Sequence, residues 1–125
     1  MGVLGPAMAE SALADRECIA CTSDDDPLTA EEIEPLYEQL DTDVWTVVDA
    51  HHLEGTYAFE DFRDALEFTK EVGELAEEEW HHPDIHLSWG EVVVELWTHK
   101  LDGLFETDFV MAARMDRFYE AYRPE

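Results

Sequence analysis

Over residues 61–79 apolar side chains return at i, i+3, i+4 and i+7, so that Phe62, Ala65, Leu66, Phe68, Thr69, Val72, Leu75 and Ala76 share one face of a helix. The opposite face is acidic. A stripe of that length has to be laid on another element, and the flanking sequence offers a sheet. Before the helix, Val44-Trp45-Thr46-Val47-Val48 and then Leu53 with Thr56-Tyr57-Ala58-Phe59 run near period two, with a polar interruption at residues 49–52. Gly55 marks a bulge or turn in the second run. After the helix, residues 86–89 and 91–99 repeat the pattern around Gly90, and Val92-Val93-Val94 suits a central strand.

Two further helices complete the chain. Thr29-Ala30-Glu31-Glu32 is a capping box, in which hydroxyl and carboxylate each accept from the other's backbone N–H. Ile33, Leu36, Tyr37 and Leu40 follow at helical spacing, with Pro35 removing one hydrogen bond. Near the end, Phe109, Ala112, Ala113, Met115 and Tyr119 return to the helical period. The order α-β-β-α-β-β-α predicts an α+β fold: a four-stranded antiparallel sheet with helices packed on one face. Its 125 residues make one domain over residues 15–125, preceded by a flexible N-terminal segment, residues 1–14. That segment lacks the basic start and long apolar centre of a signal peptide, and no run of about 18 apolar residues offers a membrane span.

Charge narrows the partners. Seven Lys and Arg against 32 Asp and Glu give a formal charge of -25, which repels nucleic acid and anionic lipid. It also repels itself, so the sequence predicts a protein of a salt-rich cytoplasm that added salt stabilises. Cys18 and Cys21 form a lone C-x-x-C, with no second pair to complete a zinc site and no preceding strand of thioredoxin type. Reduced thiols without a structural role fit the cytoplasm.

The side chains able to do chemistry crowd into the stretch from Glu77 to Asp108. Glu77 precedes His81-His82-Pro83-Asp84, and Thr98-His99 lies further on. Pro83 pushes its predecessor out of the α region and so ends the helical segment. Glu77, at that helix end, opposes the dipole unless a nearby histidine offsets it. Trp89 reads as a core aromatic. His51 and His52, adjacent in a strand, point to opposite faces, so at most one of them faces a site and both read as surface or edge residues.

The combination is specific. Tyr57-x-Phe59-x-x-Phe62-x-x-Ala65-x-x-Phe68, Ala76-Glu77-x-x-x-His81-His82-Pro83-Asp84, Thr98-His99 eighteen residues after His81, and Gly103-Leu104 followed by Asp108 together resemble the pterin-4a-carbinolamine dehydratases. The likeness runs from Cys18 onward and includes Pro27-Leu28-Thr29. It implies an enzyme that removes water from a 4a-hydroxytetrahydropterin to leave the quinonoid dihydropterin. It implies no metal or organic cofactor and a homodimer or homotetramer. The implied pocket is built from His81, His82 and His99 with the acid Glu77. Two departures stand out: Phe105 occupies the place where relatives cap the last helix with Ser or Thr, so that Thr107 or Asp108 would cap a later start, and Ile85 stands where some relatives carry an aromatic.

Elementary chemistry agrees with that resemblance. Expelling water from a carbinolamine needs a proton delivered to the leaving hydroxyl and another taken from a ring nitrogen, and imidazole does both near neutrality. In roles resembling the family's, His81 and His99 are the acid/base pair, and Glu77 fixes a histidine tautomer and raises its pKa. His82, Thr98, Pro83 and Asp108 bind the pterin, Thr98 through its amide edge. Two rivals stay open: a metal-site protein, since three histidines and an acid also hold zinc or iron, and a non-enzymatic dimerisation or assembly module of the same fold.

Overall fold

The computed structural model describes residues 12–18 and 25–124. Helix α1 (Ala30–Tyr37) opens on the expected capping box: Thr29 Oγ1 accepts from Glu32 N–H at 3.2 Å and Glu32 Oε1 from Thr29 N–H at 2.9 Å. Strands β1 (Trp45–Val48) and β2 (His52–Ala58) come next, then α2 (Phe62–Glu79), β3 (Asp84–Ser88), β4 (Glu91–Leu96) and α3 (Glu106–Tyr119). The four strands form one antiparallel sheet in the order β1-β2-β4-β3. The expected α+β order is therefore the observed one.

Period two explains the layering. On β4, Val92, Val94 and Leu96 are fully buried while Val93 and Glu95 between them are partly open, and on β2 Leu53 and Tyr57 are buried while Thr56 and Ala58 are exposed. The helices cover the buried face. Ala65, Phe68, Val72, Leu75 and Ala76 of α2 are its buried stripe, and nearly every residue of the first half of α3 is inside. One carboxylate ties the layers together. Asp116 on α3 accepts from Trp45 Nε1 at 2.9 Å, Tyr57 Oη at 2.7 Å and the Asp41 amide at 3.0 Å, while burial pushes its carboxyl above the usual range.

Three expectations change at this level. Gly55 makes no bulge: it sits in register opposite Trp45, and a Cβ there would meet the indole at 2.7 Å, so its bareness lets that ring lie across the strand. Trp89 is 68% exposed, because it lies in the short β3–β4 connection beyond the sheet that would have covered it. Of the segment assigned to a flexible N-terminus, residues 12–14 pack into the fold. Leu13 is 2% exposed, and Arg114 holds the strap by donating to the Ala14 carbonyl at 3.1 Å and the Arg16 carbonyl at 2.6 Å. Arg117 with Asp15 and Arg16 with Glu106 add ion pairs at 2.9 and 3.2 Å. Residues 1–11 and Cys21 lie outside the described residues. No helix among the described residues is long and apolar enough to cross a membrane.

Candidate active site

The end of α2 sets the site. Trp80 adopts a left-handed conformation (φ 54, ψ 45), and its N–H and that of His81 both turn back to the Ala76 carbonyl. The helix thus stops at Glu79, ahead of Pro83, by a left-handed cap rather than by the proline. For a tryptophan that conformation costs about 1 kcal/mol, a strain kept at the rim of a cavity. The reversal aims His81 at the head of α3.

There it meets Asp108. His81 Nε2 lies 2.6 Å from Asp108 Oδ1, with the imidazole 16% and the carboxylate 0% exposed. The other oxygen, Oδ2, accepts from Thr98 Oγ1 at 2.8 Å and from Phe105 N–H at 3.0 Å. One buried carboxylate thus collects donors from the α2 exit, the β4 exit and the α3 start. It also explains how α3 begins without a capping side chain. Phe105 offers no acceptor, yet the helix starts at Glu106 rather than later, because Asp108 reaches back to the Phe105 amide.

A cavity of about 490 Å3 opens beside this junction, lined by His81, His82, Thr98 and His99 together with Trp80, Trp97 and Phe105. That is the size range of small-molecule sites. All three predicted histidines therefore share one wall system. Glu77, Pro83 and Asp108 do not line it. Glu77 is exposed and lies 2.6 Å from His82 Nε2, so the tautomer it fixes belongs to His82, while Asp108 fills that role for His81. Thr98 is 6% exposed and its hydroxyl donates to Asp108. With their Nε2 atoms on carboxylates, His81 and His82 keep Nδ1 as the nitrogen free for other work.

Sequence reasoning missed several residues here. Trp97, Trp80 and Phe105 supply the apolar walls, and Cys18 reaches the cavity on the N-terminal strap. Burial, and then the Glu79 carboxylate, push the Cys18 thiol up to about 11. His51 and His52 do not diverge. His51 lies in the β1–β2 turn, where Asp49 and Ala50 are both left-handed (φ 54 and 56), so strand alternation does not govern it. Both rings pack on Trp97, with centroids 5.6 and 5.7 Å away, and their Nδ1 atoms are 3.0 Å apart. Among the described residues no three His, Cys, Asp or Glu side chains converge as a metal-ligand set.

The family model described as pterin 4 alpha carbinolamine dehydratase matches residues 26–118. A protein of Rubrobacter xylanophilus, provisionally named a pterin-4-alpha-carbinolamine dehydratase, is 51% identical over 107 residues, spanning 86% of this chain and 98% of that one. A protein of the same provisional name from Alkaliphilus metalliredigens is 48% identical over 105 residues, spanning 84% and 94%. Among solved structures, a transcriptional coactivator/pterin dehydratase from Brucella melitensis is similar with a TM-score of 0.70 at 30% identity, over 75% of this chain and 99% of that chain. A pterin dehydratase-like RuBisCO assembly factor of the alpha-carboxysome shares the fold, with a TM-score of 0.54 at 24% identity over 61% and 89%.

Proposed function

The chain belongs to the pterin 4 alpha carbinolamine dehydratase family, and from that premise we propose that it eliminates water from a 4a-hydroxytetrahydropterin to give the quinonoid dihydropterin. The observation that carries this reading is the buried Asp108–His81 pair opening onto a cavity shared with His82 and His99. Two imidazoles from different segments, the α2 exit and the β4 exit, can address two positions of a flat bicyclic ring.

The step balances on protons alone. The C4a–O bond breaks as an imidazolium gives its proton to the departing hydroxyl, and water leaves. The nitrogen lone pair closes the C=N bond, and a second imidazole takes the proton that the ring nitrogen sheds. His81 and His99 form this pair, and transfer of the proton from one to the other restores the enzyme. His82, steadied by Glu77, orients the pterin. No metal or organic cofactor takes part. Pro83 shapes the turn that presents the two histidines. The protein works in the cytoplasm as a homodimer or homotetramer.

A second reading, a module for assembly or regulation, draws on the Brucella protein being called both coactivator and dehydratase. The presence of all three histidines in one cavity favours the enzyme. The test is to generate the 4a-carbinolamine with an aromatic amino acid hydroxylase and follow its ultraviolet absorbance, in high salt. Wild type should hasten the decay, while His81→Ala and His99→Ala should each lose about 10²-fold or more of that rate. Decay no faster with wild type than without protein refutes the proposal.

A further inference from the structure

Trp97 stands between two groups of histidines. His99, which lines the cavity with it, has its ring centroid 4.5 Å away at 59°; His51 and His52, which do not line the cavity, rest on the same indole at 5.6 and 5.7 Å. Trp97 lies just past the last residue of β4, Leu96, so no strand ladder sets its angle. The chain beyond it forms a short loop closed by Leu101 N–H to the Thr98 carbonyl at 3.1 Å and Asp102 N–H to the His99 carbonyl at 3.2 Å. Asp102 is left-handed (φ 53), and from there its carboxylate meets His51 Nε2 at 2.8 Å.

We propose that Trp97 is the wall on which the fused ring of the substrate lies, and that His51 and Asp102 are positioning residues that hold this wall and the His99 loop in place. This rests on the cavity being a reduced-pterin site. An indole is a large, rigid, sequence-tolerant platform for a flat heterocycle, and here it is half-buried with one neighbour, His99, in the proposed acid/base pair. The support behind it is directional. Asp102 accepts from the Nε2–H of His51, and the two Nδ1 atoms at 3.0 Å require that one donate and the other accept, so His52, His51 and Asp102 form a continuous chain of hydrogen bonds.

The chain of bonds adds little to stability, because the Asp102 side chain is 88% exposed and the His51 side chain 35%. A purely structural role would therefore leave function alone, and the two are separable. The probe is a 7,8-dihydropterin, which has no 4a-hydroxyl and cannot turn over. Its affinity is measured by calorimetry, beside turnover kinetics and thermal midpoints.

Trp97→Ala should weaken dihydropterin binding about tenfold, the change that ~1.4 kcal/mol of lost stacking produces, and raise KM by more than it lowers kcat. Trp97→Phe should keep affinity within about threefold. His51→Ala should weaken binding several-fold at an unchanged midpoint, and His51→Gln, which restores a donor toward Asp102, should recover it. Trp97→Ala binding within twofold of wild type, or His51→Ala indistinguishable from it, overturns the proposal even while His81-dependent turnover stands. Conversely, wild type that binds the dihydropterin through Trp97 without turning over the carbinolamine refutes the dehydratase reading and leaves the wall intact.

Discussion

Asp108 Oδ1 accepts from His81 Nε2 at 2.6 Å across 27 positions of the chain, and the same carboxylate closes on Thr98 and the Phe105 amide. The residue that orients the proposed catalytic imidazole is therefore also the residue that starts α3. Activity and stability should fall together when it is cut. Asp108→Ala leaves three donors without an acceptor, two of them buried or nearly so, and should cost about 3 kcal/mol in urea unfolding. Thr98→Val removes one donor and should cost about 1 kcal/mol. In turnover the order should be the same, with Asp108→Ala losing about 10²-fold in kcat and Thr98→Val far less. Equal losses from both would mean the carboxylate does not act through His81.

Glu77 should matter much less than its place in the motif suggests. Its side chain is 68% exposed and its partner His82 46%, so the pair is a surface contact that water screens. Glu77→Gln is expected to keep kcat within about threefold of wild type and leave the urea midpoint unmoved, with any effect appearing in KM through the orientation of His82. A fall in kcat as deep as that of His81→Ala would return Glu77 to the centre of the chemistry.

Glu77 also shows what a sequence can and cannot carry. Periodicity places the long helix, both hairpins and the capping box at Thr29, because those features are local. One left-handed residue, Trp80, is not legible, and it undoes the helical spacing that would have put Glu77 beside His81. The same blindness covers Asp49 and Ala50, whose positive φ values swing His51 onto Trp97 instead of away from it. Long-range pairing is invisible for a different reason. Nothing near Asp108 announces that a histidine 27 residues earlier will take its oxygen, although the absence of a capping side chain at Phe105 signals that some acceptor must serve that amide. Trp97 was within reach of sequence reasoning: an aromatic directly before Thr98-His99, alternating with Leu96.

Cys18 should be a poor nucleophile despite touching the cavity. Burial and the Glu79 carboxylate raise its thiol from the usual 9.0 to about 11, so at pH 8 the thiolate fraction is about a hundredth of that in an unfolded chain. In a Cys21→Ser variant, iodoacetamide should label the folded protein far more slowly than the urea-unfolded one. The linkage has a definite sign. Between pH 9 and about 11 the folded state retains a proton that the unfolded state releases, so this group's contribution to stability is full below 9 and is lost as pH rises through that window. Cys18→Ser should flatten that part of the profile. Rapid labelling of folded protein at pH 8 would place the thiol in a different environment.

Salt should stabilise the fold, even though it weakens the few ion pairs present. Of the cations, Arg16 pairs with Glu106 and Arg117 with Asp15 along the N-terminal strap, Arg114 pairs with Glu79, Arg123 with Asp41, and Arg63 and Lys70 share Glu67. Most of these pairs are at least partly exposed, where each contributes about 0–1 kcal/mol. Against them stands a net charge of -25 on 125 residues, whose mutual repulsion extends about 10 Å in 0.1 M salt but only about 3 Å in 1 M. Raising KCl therefore removes more repulsion than attraction. Tm should climb continuously from low salt to molar KCl, by roughly 4 °C for each ~1 kcal/mol gained in a domain of this size. Arg114→Met separates the two effects, because it loosens the strap and breaks the ion pair with Glu79 while deepening the negative charge. Its Tm should lie below wild type at every salt concentration and rise at least as steeply. A Tm that stays level or falls with KCl in wild type would mean that the ion pairs outweigh the repulsion and that the acidic surface serves some other end.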